Sequence, residues 1–104
     1  MTLSGYLVDA DTGEGIAGGY VVMLKPGVTV QAFARTRSEQ QIASMGQTDD
    51  EGYFRLSPPL PRGYTYGAIA VAKGYETIAE DDALEITDED PDEVELDPIG
   101  MVRQ

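Results

Sequence analysis

Glycine and proline interrupt this chain at short intervals, and that spacing restricts its fold more than any other feature. The 104 residues include 12 glycines and 6 prolines, residue types that favour turns and are disfavoured inside long helices. Between them lie runs of five to eight residues rich in Val, Ile, Leu, Tyr and Thr, which is typical of short β-strands. We therefore predict an all-β fold, a sandwich of two sheets with seven antiparallel strands.

One segment breaks the pattern and is predicted as a short helix between the second and third strands. Residues 28–41 contain neither glycine nor proline, and they place Val30, Phe33, Ala34 and Arg37 at helical spacing. The seven runs predicted as strands cover residues 3–8, 19–24, 42–48, 53–57, 64–72, 76–86 and 93–99.

The whole chain, residues 1–104, is predicted to be one domain that is monomeric in isolation. Its formal net charge is −12, which repels the phosphates of nucleic acids and anionic lipid head groups. No apolar run approaches the roughly 20 residues that a membrane-spanning helix needs, and the first residues lack the pattern of an export signal. We therefore expect neither nucleic-acid binding nor membrane insertion.

The residue types present argue against catalysis. Histidine and cysteine are both absent, which removes the commonest general base, the thiolate nucleophile and the softer metal ligands. No serine lies in a Gly-x-Ser-x-Gly turn, and the carboxylates fall in turns or at strand ends, where solvation explains them. The sequence therefore predicts no catalytic residue, no cofactor and no enzyme, and without cysteine it leaves the redox compartment undecided.

An acidic loop near the N-terminus contains weak candidates for calcium ligands. Asp9-x-Asp11-x-Gly13 imitates the start of a calcium-binding loop, but Tyr20 occupies the twelfth position, where a bidentate Glu is required. Counting strands up and down brings residues 49–52 to the same end of the sandwich. A second hypothesis for this end is an irregular calcium site of oxygen ligands. Its candidate ligands are Asp9, Asp11, Asp49 and Asp50.

The opposite end is predicted to bring together the helical insertion, the proline-rich loop and the acidic residues 88–93. Candidate interaction residues there are Phe33, Arg35, Arg37 and Arg62. One interpretation is a set of solvent-screened surface pairs that contribute about 0–1 kcal/mol each. The other is that the segment around Phe33 packs against a neighbouring domain or another protein. Both interpretations stay open.

Three tyrosines, Tyr6, Tyr20 and Tyr53, are predicted on strand faces that point away from the core. Such rings could form a platform for a carbohydrate or a peptide, although single surface aromatics are common. The sequence does not reveal whether the three are neighbours, because that depends on the strand order.

Four segments carry turn and core residues in a recognisable order. They are Gly5-x-x-x-Asp9-x-x-Thr12-Gly13-x-x-Ile16-x-Gly18-x-x-Val21, Thr48-Asp49-x-x-Gly52-x-Phe54-x-Leu56, Leu60-Pro61-x-Gly63 with Tyr66, and Gly74-Tyr75. Together they resemble the carboxypeptidase regulatory-like family, whose domains are also called transthyretin-like or prealbumin-like. The chain departs from the family pattern in two loops: residues 28–41 are longer than usual, and Gly63 lies one residue further from Tyr66.

The resemblance implies a Greek-key-type sandwich of the prealbumin-like or Ig-like kind, in which the motif residues have structural roles. It also implies a non-catalytic accessory domain, a structural, spacer or protein-interaction module of a larger peptidase-associated or cell-surface protein. An extracytoplasmic location follows from the same resemblance alone. The alternative is a sandwich that binds a glycan or calcium. The motif residues expected to be structural are Gly13, Gly18, Gly52, Phe54, Gly63, Gly74 and Tyr75.

Overall fold

The computed structural model describes all residues, 1–104, and it is mostly β-structure with one short α-helix. A single 3₁₀ turn covers Glu39–Gln41. The main elements are β1 (Thr2–Asp9), β2 (Tyr20–Leu24), α1 (Val30–Thr36), β3 (Ile42–Gln47), β4 (Tyr53–Arg55), β5 (Tyr64–Val71), β6 (Ile78–Ile86), β7 (Glu93–Glu95) and β8 (Ile99–Met101).

The strands form two four-stranded sheets. The first sheet has the order β4-β1-β7, with β8 pairing further along β1, and the second has the order β3-β2-β5-β6. The structure has eight strands and not seven, because the predicted last strand is divided into β7 and β8. The prediction of an entirely antiparallel fold is also wrong: β7 and β8 run parallel to β1, because the chain crosses back to the first sheet at the end where β1 begins.

Strand β1 lies at the centre of the first sheet and follows a strict alternation. Its inward positions, Leu3, Gly5, Leu7 and Asp9, are all buried, and the residues between them are half-buried. A Cβ atom on Gly5 would lie 3.0 Å from the Phe54 ring, so the glycine leaves room for that ring. The last of these inward positions is Asp9, so β1 ends with a buried carboxylate.

The two sheets enclose one hydrophobic core in a sandwich-like arrangement. Tyr66 and Phe54 are the largest fully buried side chains, each 1% exposed. They come from different sheets, as expected for two facing layers. The core comprises Leu3, Leu7, Ile16, Val21, Met23, Phe54, Leu56, Leu60, Tyr66, Ala70, Ala72, Ile86 and Met101.

Strand β2 is covered on both faces near its end. Met23 belongs to the core between the sheets, whereas Leu24 is fully buried outside that core, and a Cβ atom on Gly67 of β5 would lie 3.5 Å from it. The register of β2 with β3 shifts between Met23 and Leu24, where the extra residue, Ala43, lies in β3. The strand therefore reads as apolar on both faces, although Tyr20 on its outer face is exposed.

The helical insertion is present and confirms the prediction for this segment. Helix α1 begins where the Thr29 hydroxyl accepts the Ala32 N–H at 3.0 Å, and it ends at Arg37, which adopts a left-handed conformation. The helix contacts β5 and β6, and none of its residues is fully buried. It lies on the outer face of the second sheet and contributes nothing to the central core.

Neither this helix nor any other has the length and apolarity needed to cross a membrane.

The motif glycines serve turns, since each has a positive φ angle that other residues rarely adopt. These glycines are Gly13, Gly18, Gly52, Gly63 and Gly74.

Candidate functional site

The loops that follow β1 and precede β4 meet at one end of the sheets. The Leu7 N–H donates to the Gly52 carbonyl at 2.9 Å. A Cβ atom on Gly15 would lie 1.9 Å from the carbonyl oxygen of Glu51, so glycine is required for this approach. The structure therefore confirms that the two acidic loops share one end.

The Asp9 carboxylate is the centre of this end. Its side chain is 2% exposed, and four donors reach it. Its Oδ1 accepts the backbone N–H groups of Asp11 at 2.8 Å and Thr12 at 3.1 Å. Its Oδ2 accepts the Tyr75 hydroxyl at 2.9 Å and the Arg103 Nε–H at 2.6 Å. We call these three side chains, Asp9, Tyr75 and Arg103, the Asp9 clasp.

The donors stabilise the ionised form of Asp9. The backbone N–H of Asp11 makes the largest contribution, and the side chains of Arg103 and Tyr75 and the Thr12 N–H add to it against the opposing effect of burial. Together they lower the pKa of Asp9 from 3.8 to about 2. The same ion pair raises the pKa of Arg103. Asp9 is therefore a charged structural group at neutral pH.

Two of the four candidate calcium ligands, Asp9 and Asp49, already accept hydrogen bonds from the protein. The oxygens of Asp9 already accept four hydrogen bonds. The Oδ1 of Asp49 likewise accepts the N–H groups of Glu51 and Tyr53, as in an Asx turn. No group of three or more acidic side chains has a geometry that could hold a metal ion. The remaining candidates, Asp11 and Asp50, lie in exposed loop positions.

Arg62 links the proline-rich loop to the acidic loop at the opposite end. Its guanidinium donates to the backbone carbonyls of Asp88 and Asp90, and it donates to Asp92 Oδ1 at 2.6 Å. Asp90 in turn accepts the Thr87 N–H at 2.7 Å. The acidic loop is thus wrapped around one arginine, which links it to the proline-rich loop.

The other predicted interaction residues do not join this cluster. Neither Arg35 nor Arg37 takes part in any of the three ion pairs of the structure. Val30, Phe33 and Arg37 line a groove of about 430 Å³ between α1 and strands β5 and β6. The sequence analysis expected Arg35 and Arg37 to lie beside the acidic loop, residues 88–93. That expectation is wrong for these two arginines, because α1 folds over the face of the second sheet. Phe33 is half-buried in that position.

Two of the three candidate tyrosines are neighbours. Tyr6 and Tyr53 form a directly opposed pair across β1 and β4, and their rings contact each other edge to face at 5.3 Å between centroids. Tyr20 lies on β2 in the other sheet and is 43% exposed. The strand order, which the sequence did not reveal, decides this grouping.

Two positions of the motif are explained by packing and turn geometry. Phe54 is buried in the core, and Gly63 makes the turn that leads into β5. Tyr66 is buried beside that turn and donates its hydroxyl to the Pro61 carbonyl at 2.6 Å. Burial raises the pKa of Tyr66.

The sequence analysis missed Arg103, because no local pattern marks it. The inward position of Asp9 did have a signal, the alternation Leu3-x-Gly5-x-Leu7-x-Asp9.

No protein-family model matches this chain, and no curated protein matches it in sequence.

Proposed function

We propose that this chain is a non-catalytic accessory domain of the carboxypeptidase regulatory-like kind, which serves as a structural or protein-interaction module of a larger assembly. The observation that carries the proposal is the Asp9 clasp: the buried acid of the motif is used entirely for internal hydrogen bonds. A motif whose polar residue holds loops together is suited to stability and not to turnover.

The chain path supports the finer assignment to prealbumin-like sandwiches with Greek-key connections. The chain passes from one sheet to the other after β1, β3, β4 and β6, which is the kind of connection that Greek-key sandwiches use. The family assignment itself rests on the four sequence segments. An extracytoplasmic location and a peptidase-associated or cell-surface parent protein are parts of the same proposal.

Site-specific photo-cross-linking tests the accessory function. A photoreactive amino acid in place of Arg35, on the exposed face of α1, is expected to cross-link reproducibly to one defined site on one neighbouring domain or protein in native extract. The same substitution at Glu51, which lies exposed in the loop before β4, is the matched control and should not give that product. Scattered products from both positions, with no recurrent site, would contradict the proposal.

A glycan-binding function is the second candidate, and the Tyr6–Tyr53 pair favours it. Tyr53 of this pair lines a groove of about 240 Å³ together with Ser4, Arg55 and Glu93. A ring face next to hydroxyl and charged groups is the combination that sugar binding uses. Titration with chitohexaose and cellohexaose, with Tyr53→Ala as the test variant and Tyr20→Ala as the control, is expected to give binding that only Tyr53→Ala removes. Absence of binding to both sugars would remove this candidate.

A further inference from the structure

A third groove lies at the end of the second sheet, away from the Asp9 clasp. It has a volume of about 570 Å³, within the usual range for ligand sites. Its lining is dominated by prolines and two tyrosines, with one charged side chain at the rim. The residues of this proline–tyrosine groove are Lys25, Pro26, Ala43, Pro58, Pro59, Pro61, Tyr64 and Tyr66.

The aromatic part of the groove combines an anchored ring with an accessible one. Tyr66 is 1% exposed, whereas Tyr64 is 51% exposed. The two rings contact each other edge to face at 6.5 Å between centroids, so the buried ring supports the exposed one. A large exposed aromatic held in place in this way offers contact area with little loss of conformational entropy on binding.

The walls of the groove are held by hydrogen bonds to the rest of the domain. The Ser44 hydroxyl donates to the Pro58 carbonyl at 2.7 Å, and the Leu60 N–H donates to the Met1 carbonyl at 2.7 Å. Leu60, between the prolines, is buried in the core at 1% exposure. The groove is therefore preformed, and binding would not have to order the proline-rich loop.

Lys25 is the one charged side chain that lines this groove. The chain has seven basic residues against nineteen acidic ones, and the three ion pairs use Arg55, Arg62 and Arg103. Lys25 takes part in none of them. Its backbone N–H donates to the Gln41 carbonyl at 2.8 Å, which fixes the position from which the side chain extends. An unpaired cation on a strongly acidic domain favours a ligand that carries a carboxylate.

We propose that the proline–tyrosine groove binds an extended, proline-containing segment of a partner protein that carries an acidic residue next to its prolines. Aromatic-lined grooves recognise proline-rich segments because such segments already adopt the polyproline II conformation and lose little entropy on binding. The ring of Tyr64 packs against the prolines, and Lys25 pairs with the acidic residue. The inference rests on the proposed interaction function and names the chemistry of the partner.

A peptide titration tests the proposal. The probe is an acetylated peptide of six prolines followed by two aspartates, added to ¹⁵N-labelled domain. We expect chemical-shift changes at residues 25, 43, 60 and 62–66, with micromolar to millimolar affinity. Tyr64→Ala should weaken binding at least about fivefold, as for loss of an aromatic anchor, while Tyr20→Ala stays within about twofold of the unmodified domain.

Charge reversal provides the second arm. Lys25→Glu should weaken the aspartate peptide several-fold and strengthen a peptide in which two lysines replace the aspartates, whereas Lys73→Glu, also exposed, should change neither. With the peptide as probe, three results would each overturn the proposal: no shift changes at millimolar peptide, equal binding of a peptide with glycines in place of the prolines, or no effect of Tyr64→Ala. A concentration-dependent dimer that Tyr64→Ala dissociates would overturn it in favour of a second copy of this chain.

The outcome is separable from that of the accessory function. A recurrent cross-link from position 35 with a silent groove would reject only the proline–tyrosine groove. Failure of both experiments would reject the interaction function as well.

Discussion

The two ends of the sandwich each contain an Arg–Asp ion pair, and the two pairs are built in opposite ways. Both have a nitrogen–oxygen distance of 2.6 Å. In the Asp9 clasp the acid is 2% exposed and Arg103 is 62% exposed. At the other end Arg62 is 27% exposed and Asp92 is 98% exposed. Equal distances thus join groups in very different environments.

The burial of the carboxylate, and not the nitrogen–oxygen distance, decides how much each ion pair contributes to stability. A buried carboxylate must receive hydrogen bonds to remain charged, and Asp9 receives four. An exposed carboxylate is solvated by water, so Asp92 has little to lose if its partner is removed. Arg62 instead acts mainly through the backbone carbonyls of the acidic loop.

Removal of the Asp9 side chain is the largest test of this difference. Asp9→Ala leaves the Tyr75 hydroxyl, the Arg103 guanidinium and two backbone N–H groups without their acceptor. We expect a fall in the free energy of unfolding several times that of Asp11→Ala, which as an exposed substitution should lie within about 0.5 kcal/mol of zero. Urea denaturation measures both. Equal effects of the two substitutions would contradict the structural role of Asp9.

Acid provides the same test without mutation. Because the pKa of Asp9 is lowered from 3.8 to about 2 in the folded state, its contribution to stability is fully present above about pH 4. That contribution is lost as the pH falls toward 2. Asp9→Asn should therefore be less stable at pH 7 and should show a shallower loss between pH 4 and 2. Parallel stability curves for the two proteins over this interval would show that Asp9 does not titrate as described.

Two tyrosine hydroxyls, those of Tyr75 and Tyr66, allow the same comparison with smaller expected changes in stability. Tyr75→Phe removes a hydrogen bond to a carboxylate, which is expected to cost about 1.5–3 kcal/mol. Tyr66→Phe removes one to the neutral Pro61 carbonyl, for which we expect about 0.5–1.5 kcal/mol. Thermal or urea unfolding gives both values, and a larger loss for Tyr66→Phe would reverse the ranking of the two ends.

The exposed ion pair should give the smallest effect. Asp92→Asn is expected to lower the free energy of unfolding by about 0–1 kcal/mol, and 1 M salt should remove most of that difference. The measurement is urea denaturation at low and high salt. A large, salt-independent loss would mean that the charge of Asp92 is needed to hold the acidic loop.

Much of the fold was predictable because turns and alternation are local properties. The helical insertion at residues 28–41 and the six strands before residue 87 follow the predicted pattern closely. The last part of the chain did not, since β7 and β8 are three residues each and pair in parallel with β1. Short parallel strands depend on a distant partner and leave little pattern of their own.

The candidate sites were less predictable, because they depend on which loops become neighbours. The acidic loops were placed at the correct end, yet the sequence offered Asp9 as a calcium ligand. It could not indicate that Arg103, 94 residues away, completes the bonding of that carboxylate. The proline–tyrosine groove likewise combines residues from β3, β5 and two loops, and no single segment reveals it.

The sequence by itself determined the all-β class, the turn positions and the absence of histidine and cysteine chemistry, because these depend on residue type and short-range spacing. Only the tertiary structure decided the partners: Asp9 with Tyr75 and Arg103, Tyr6 with Tyr53, and α1 with the face of β5 and β6. Partners are set by strand order and by how the sheets cover each other, and neither is encoded in any one stretch of the chain.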